Sequence, residues 1–172
     1  MGILDVTHPD ILDFIECKAT EGKFPNFNLS VGVTDAFMLA VEKDTEYDLI
    51  NPRTGKVTRQ LPARQVFDKI AELAHRNGEP GIIFIDRMNA FNPTPKLGKY
   101  ESTNPCGEQV LLPNESCNLA SINLANMVAH GQIDWKKLER TVKDGFMGAS
   151  EWLEVETRYP TKRLRVQIVF PA

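Results

Sequence analysis

Asn104, Cys106 and Glu108 stand at i, i+2 and i+4 in the run Glu101-Ser102-Thr103-Asn104-Pro105-Cys106-Gly107-Glu108-Gln109. In an extended segment these side chains leave the same side of the backbone, so an amide, a thiol and a carboxylate would face one small volume. That trio offers thiol chemistry beside an ionisable neighbour. Pro105 and Gly107 are poor ladder residues, which favours a protruding loop over a central strand. Cys117 lies beyond Pro113-Asn114, where the chain can reverse and bring a second sulfur back towards the first. From the pattern alone, the same residues also make an ordinary loop with a small buried thiol between two solvated polar groups.

Other chemistries find less support. Three cysteines, Cys17 among them on the first helix, argue against a disulfide framework, and Cys17 reads as a partly buried structural thiol. No C-x-x-C pair occurs, and His8, His75 and His130 are far apart with no cysteine beside them, so no metal site is expected. A formal charge of -3 leaves no basic surplus for coating nucleic acid. There is no apolar run of membrane-spanning length and no signal-peptide start, so no membrane partner and a cytoplasmic setting are expected. No G-x-G-x-x-G or Walker pattern follows a strand.

The elements that would position the trio alternate in type. Thr7-His8-Pro9-Asp10 reads as a helix start, with Ile11, Leu12 and Ile15 on one face and the helix fading at Glu21-Gly22. Phe27, Leu29, Val31 and Val33 alternate with Asn28, Ser30, Gly32 and Thr34, which predicts a strand with one buried face. Thr34-Asp35 caps a helix to about Lys43 with Phe37, Met38 and Val41 inward. A hairpin is expected over Asp48 to Arg59, around Asn51-Pro52-Arg53-Thr54-Gly55. Val66, Ile70, Leu73 and Ala74 mark a helix ending at Asn77-Gly78. Ile82-Ile83-Phe84-Ile85 suits a strand buried on both faces. Asp134 caps a last helix using Trp135, Leu138 and Val142. The class is α/β.

The run Asn104-Pro105-Cys106-Gly107-Glu108-Gln109, with Leu112-Pro113 and Ser116-Cys117-Asn118-Leu119 through Leu124, resembles the finger loop and following strand of ribonucleotide reductases, above all the adenosylcobalamin-dependent class. Glu79 to Arg87, Phe27 to Asp35 and the opening Met1 to Asp10 resemble the family too, so agreement runs over roughly residues 1 to 145. The resemblance implies part of a ten-stranded α/β barrel with the finger loop through its centre. It implies that Cys106 becomes a thiyl radical taking the 3′-hydrogen of a ribonucleotide. Glu108 would accept the 3′-hydroxyl proton, helped by burial that raises its pKa. Asn104 would hold the substrate hydroxyls. Cys117 would be one of two thiols that deliver electrons and end as a disulfide, restored by an external dithiol such as thioredoxin. Lys18 to Asn26 falls where the family keeps a loop that answers to a deoxynucleotide effector, with Lys18 and Lys23 as candidate contacts.

Residues 1–150 are therefore expected to be part of the catalytic barrel, and residues 151–172 a divergent tail, basic and alternating like an edge strand. The partner of Cys117, the substrate-phosphate loops and most of the cobalamin surface are expected on other segments. A truncated or frame-shifted reading frame, or a gene split among chains, would each account for that. Two other readings are the large subunit of the class whose radical comes from a metal-bearing partner protein, and a remnant that binds nucleotide effectors without turnover.

Overall fold

The computed structural model describes residues 1–20, 22–113, 115 and 121–145. The chain forms two compact units, Met1–Asn114 and Glu115–Ala172.

The first unit is built on three parallel strands, β1 (Gly2–Asp5), β2 (Leu29–Val33) and β5 (Gly81–Phe84), with β2 in the middle. Register partners in a parallel pair point to the same face. Leu4, Val31 and Ile82 thus share one face, while Ile3, Ser30 and Gly81 share the other. The expectation that β2 has a single buried face is corrected: all five of its residues are buried. The period-two pattern separates large from small residues, not buried from solvated ones. On the second face the small Ser30 and Gly32 are shielded between the flanking strands, with Ile3 of β1 3.5 Å from where a Cβ of Gly32 would stand. Phe27 and Asn28 lie before the strand, and Phe27 is exposed.

Helices cover the large-residue face. α1 is Ile11–Glu16, α2 is Asp35–Lys43 and α3 is Ala63–Asn77. Ile11 and Ile15, Phe37 and Val41, and Val66, Ile70 and Leu73 join Val31 and Val33 in one core. Each such side chain contributes on the order of 1.5–3 kcal/mol by leaving water. Thr34 caps α2 as expected, its hydroxyl accepting from Phe37 N at 3.1 Å. Gly78, at φ 84°, ends α3 in the left-handed conformation. α1 is shorter than predicted at both ends, and Thr7 does not cap it. The Thr7 hydroxyl donates to Asp5 Oδ1 at 2.6 Å, a local turn that competes with helix initiation.

The predicted hairpin is β3 (Glu46–Ile50) and β4 (Val57–Pro62). Asn51 Oδ1 accepts from Arg53 N and Thr54 N to hold its turn. Tyr47 and Leu49 reach the core from it. The Tyr47 ring meets Phe37 edge-on, with centroids 4.8 Å apart, and its hydroxyl donates to the Val6 carbonyl at 3.1 Å. The apolar run at 82–85 is only partly buried and breaks at Phe84, because Ile85 opens helix α4 (Ile85–Ala90) and β5 is an edge of the sheet among the described residues.

In the second unit a 3₁₀ turn, Leu124–Met127, leads into the short pair β8 (Val128–Ala129) and β9 (Gln132–Ile133). A helix over 135–145 follows, which we call α5. Asp134 caps it, accepting from Lys137 N at 3.0 Å. Trp135 and Val142, expected to face inward, are exposed.

Candidate functional site

Two short antiparallel strands, β6 (Ser102–Thr103) and β7 (Val110–Leu111), carry the candidate residues on the loop between them. The loop protrudes, as Pro105 and Gly107 require, but it is a folded turn and not an extended rail. Gly107 N donates to the Asn104 carbonyl at 3.1 Å, closing a four-residue turn with Pro105 and Cys106 at its corners. Gly107 adopts φ 83°, which a residue with a side chain would resist. Asn, Pro and Gly at the first, second and fourth positions are the preferred composition of a β-turn.

The trio is divided by this turn. Asn104 is 6% exposed and folds inward. Its Oδ1 accepts from Gly107 N and from Gln109 N, both at 3.1 Å, while its Nδ2 is buried with no hydrogen-bond partner. Cys106 and Glu108 are exposed. The burial anticipated for Glu108 is not seen among the described residues, where it is exposed. Cys106 lines an open pocket of about 270 Å³, together with Pro105, Gly107, Ser30, Ile83 and Glu79. The pocket lies on the small-residue face of the sheet, where Ser30 meets Gly81 so closely that a Cβ there would come within 2.8 Å of the serine hydroxyl. Asn28 Nδ2 donates to the Pro105 carbonyl at 3.3 Å, tying the turn to the start of β2. Cys117 falls outside the described residues.

The two loop lysines differ. Lys18 is turned into its own loop: its Nζ donates to the Phe27 carbonyl and pairs with the Glu79 carboxylate. Asn77 Nδ2 and an Arg76 guanidinium N–H donate to the carbonyls of Lys18 and Ala19, at 2.7 and 2.9 Å. Lys23 is exposed. Cys17, a free thiol of intermediate exposure, has its pKa raised by burial, with the Lys18 cation opposing and the Glu79 carboxylate adding to the rise.

Asn28 and Glu79 were missed as site residues. Asn28 has the look of a solvated strand position, and Glu79 matters through its ion pair with Lys18, a residue distant in sequence, which spacing does not reveal. The Asn-Pro-Cys-Gly composition did carry the signal for the turn. Among the described residues no group of three or more His, Cys, Asp or Glu side chains could hold a metal ion, and no helix is long and apolar enough to cross a membrane.

A three-stranded parallel sheet under helices, with a cysteine-bearing turn over its small-residue face, defines an α/β domain. The profile of the family described as "Ribonucleotide reductase, barrel domain" matches residues 1–168, and the chain belongs to that family. It is 50% identical over 165 residues to the vitamin B12-dependent ribonucleoside-diphosphate reductase of Mycobacterium tuberculosis (strain CDC 1551 / Oshkosh), covering 95% of this chain and 24% of that protein. It is 51% identical over 144 residues to the protein of the same name from Thermoplasma acidophilum, covering 83% of this chain and 19% of the relative. The vitamin B12-dependent ribonucleotide reductase of Streptomyces avermitilis is 39% identical over 147 residues, 72% of this chain and 15% of its own length. The chain therefore spans about a quarter or less of these relatives.

Proposed function

We propose that the chain supplies part of the catalytic barrel of a cytoplasmic ribonucleotide reductase, and that Cys106 is its radical-bearing thiol. Residues 1–150 form that part, and complementary segments complete the ten-stranded barrel. The observation that carries the reading is the position of Cys106 at the tip of a tied-down turn, on the rim of a pocket over the small-residue face of a parallel sheet. A thiyl at Cys106 takes the 3′-hydrogen of a ribonucleotide, becoming a thiol and leaving the radical on the sugar. Glu108 receives the 3′-hydroxyl proton once substrate and the rest of the barrel close over it. The unpartnered Asn104 Nδ2 is a donor in need of an oxygen, which suits a substrate hydroxyl. Cys117 and a second thiol supply the two electrons and two protons that replace the 2′-hydroxyl by hydrogen, with the hydroxyl leaving as water, and end as a disulfide, which an external dithiol such as thioredoxin reopens. A deoxynucleotide effector addresses the loop over 18–26, with Lys23 as its exposed cation.

The relatives are named vitamin B12-dependent, which supports cobalamin as the cofactor; the adenosyl form is part of the proposal. The described residues do not by themselves fit it. The pocket beside Cys106, at about 270 Å³, is below the size that takes a drug-like ligand, and a corrin is far larger. The cofactor surface belongs to other segments.

The test uses the assembled enzyme that contains this chain. Cys106→Ser is expected to abolish deoxyribonucleotide formation and 3′-hydrogen exchange while calorimetric binding of ribonucleotide is kept. Undiminished turnover in that variant would exclude Cys106 as the radical carrier.

A further inference from the structure

We infer that Asn104 is a positioning residue whose Oδ1 holds the turn that carries Cys106, separately from any contact its Nδ2 makes with substrate. Two backbone N–H groups, those of Gly107 and Gln109, converge on that one atom at 3.1 Å. Because both are donors, the atom they meet is the oxygen, and the orientation of the amide is fixed. Gly107 N has a second acceptor in the Asn104 carbonyl; Gln109 N depends on the side chain. The backbone of Asn104 adds to the frame, its N–H donating to the Gln109 carbonyl at 3.1 Å and its carbonyl accepting from the Thr103 hydroxyl at 2.9 Å. The residue thus bridges both sides of the loop from a buried seat, with Cys106 between the groups it holds.

Sulfur position follows from this. Without Oδ1, the partly buried Gln109 amide loses its acceptor, and the loop is left with the backbone bonds of Asn104 to Gln109 and Gly107, the Thr103 hydroxyl bond and the Asn28 tie, none of which holds the Gln109 N–H. A cysteine on a loosened turn no longer meets the substrate at a fixed distance, and misplacement of a reacting atom by an ångström costs up to about a hundredfold in rate. That last step rests on the reading of Cys106 proposed above; the fixing of the turn does not.

The decisive measurement is hydrogen exchange over residues 104–109 in the assembled enzyme, beside the rate at which iodoacetamide alkylates Cys106. Asn104→Ala is expected to raise exchange at the Gln109 amide about tenfold and to change the alkylation rate, with β2 protection unaltered. Asn104→Asp, which keeps an oxygen acceptor and loses the donor, is expected to restore wild-type exchange and alkylation. Restored loop protection with a raised KM would separate the two ends of the side chain. Should Asn104→Ala also lose protection in β2, Asn104→Gln decides, since it keeps the amide but displaces the oxygen by one methylene. Wild-type exchange at Gln109 in a folded Asn104→Ala or Asn104→Gln protein overturns the inference. Exchange effects as expected in a protein whose Cys106→Ser variant still turns over would sink only the catalytic reading.

Discussion

Tyr47 shows how one residue links the hairpin to the core and makes stability depend on pH. Its hydroxyl, donating to the Val6 carbonyl, is the polar end of an otherwise buried ring, and burial pushes its pKa well above the ordinary value of 10.0. The neutral form is therefore favoured in the folded state. Above about pH 10 the unfolded chain releases the phenolic proton while the folded one retains it, so the unfolded state binds fewer protons and stability falls as pH rises. Below that pH the contribution is fully present. Tyr47→Phe is expected to cost about 1–2 kcal/mol near neutrality and to remove this alkaline decline, as read by urea unfolding at pH 8 and pH 11. An identical alkaline slope in the variant would refute the assignment. At the same scale Asn104 was legible as a polar residue near a cysteine, but its inward role was not. Spacing of i, i+2 and i+4 describes an extended rail, and the Asn-Pro-Cys-Gly turn bends the rail so that its first member caps the loop and its other two face outward.

At the level of elements, legibility tracked local chemistry. Thr34 before an amphipathic run, Asn77-Gly78 after one, and Asn51 through Gly55 between two β-prone flanks each use hydrogen bonds within a few residues, and each appears where expected. Thr34→Ala should lower stability by roughly 0.5–2 kcal/mol in denaturant unfolding, the cost of leaving the Phe37 N–H without its cap. The start of α1 and the two buried faces of β2 depended on partners distant in sequence, and the pattern alone could not supply them. The loop over 18–26 belongs with these. Lys18 reads from its place in the sequence as a candidate effector contact, and its pairing with Glu79 and with the Phe27 carbonyl makes it a staple across the loop. Lys18→Met is expected to increase hydrogen exchange throughout the loop, whereas Lys23→Met should leave exchange unchanged and weaken binding of a deoxynucleoside triphosphate in calorimetry. Equal effects of the two substitutions on exchange would deny Lys18 its structural role.

The α/β class of the whole molecule was readable from the alternation of elements, and the barrel only from likeness to a family, because closure depends on strands that the described residues do not include. Those residues give an open sheet. β1 and β5 each have one edge without a strand partner among them, and the small-residue face of the sheet carries pockets in place of a packed second layer. Parallel strands are stable when both faces are covered and both edges paired. An uncovered edge is a template for another chain. The 172 residues produced alone are accordingly expected to self-associate, with a sedimentation coefficient that rises with concentration, and to unfold without a sharp transition. Adding the remaining barrel segments of the Mycobacterium tuberculosis relative, which is 50% identical over the shared region, should suppress self-association and sharpen unfolding. The edges are the reason: a complementary strand satisfies the same N–H and C=O groups that a second copy would otherwise take. A monodisperse monomer that melts cooperatively without those segments would mean that the open sheet is sufficient by itself, and the proposed barrel partnership would have no physical basis.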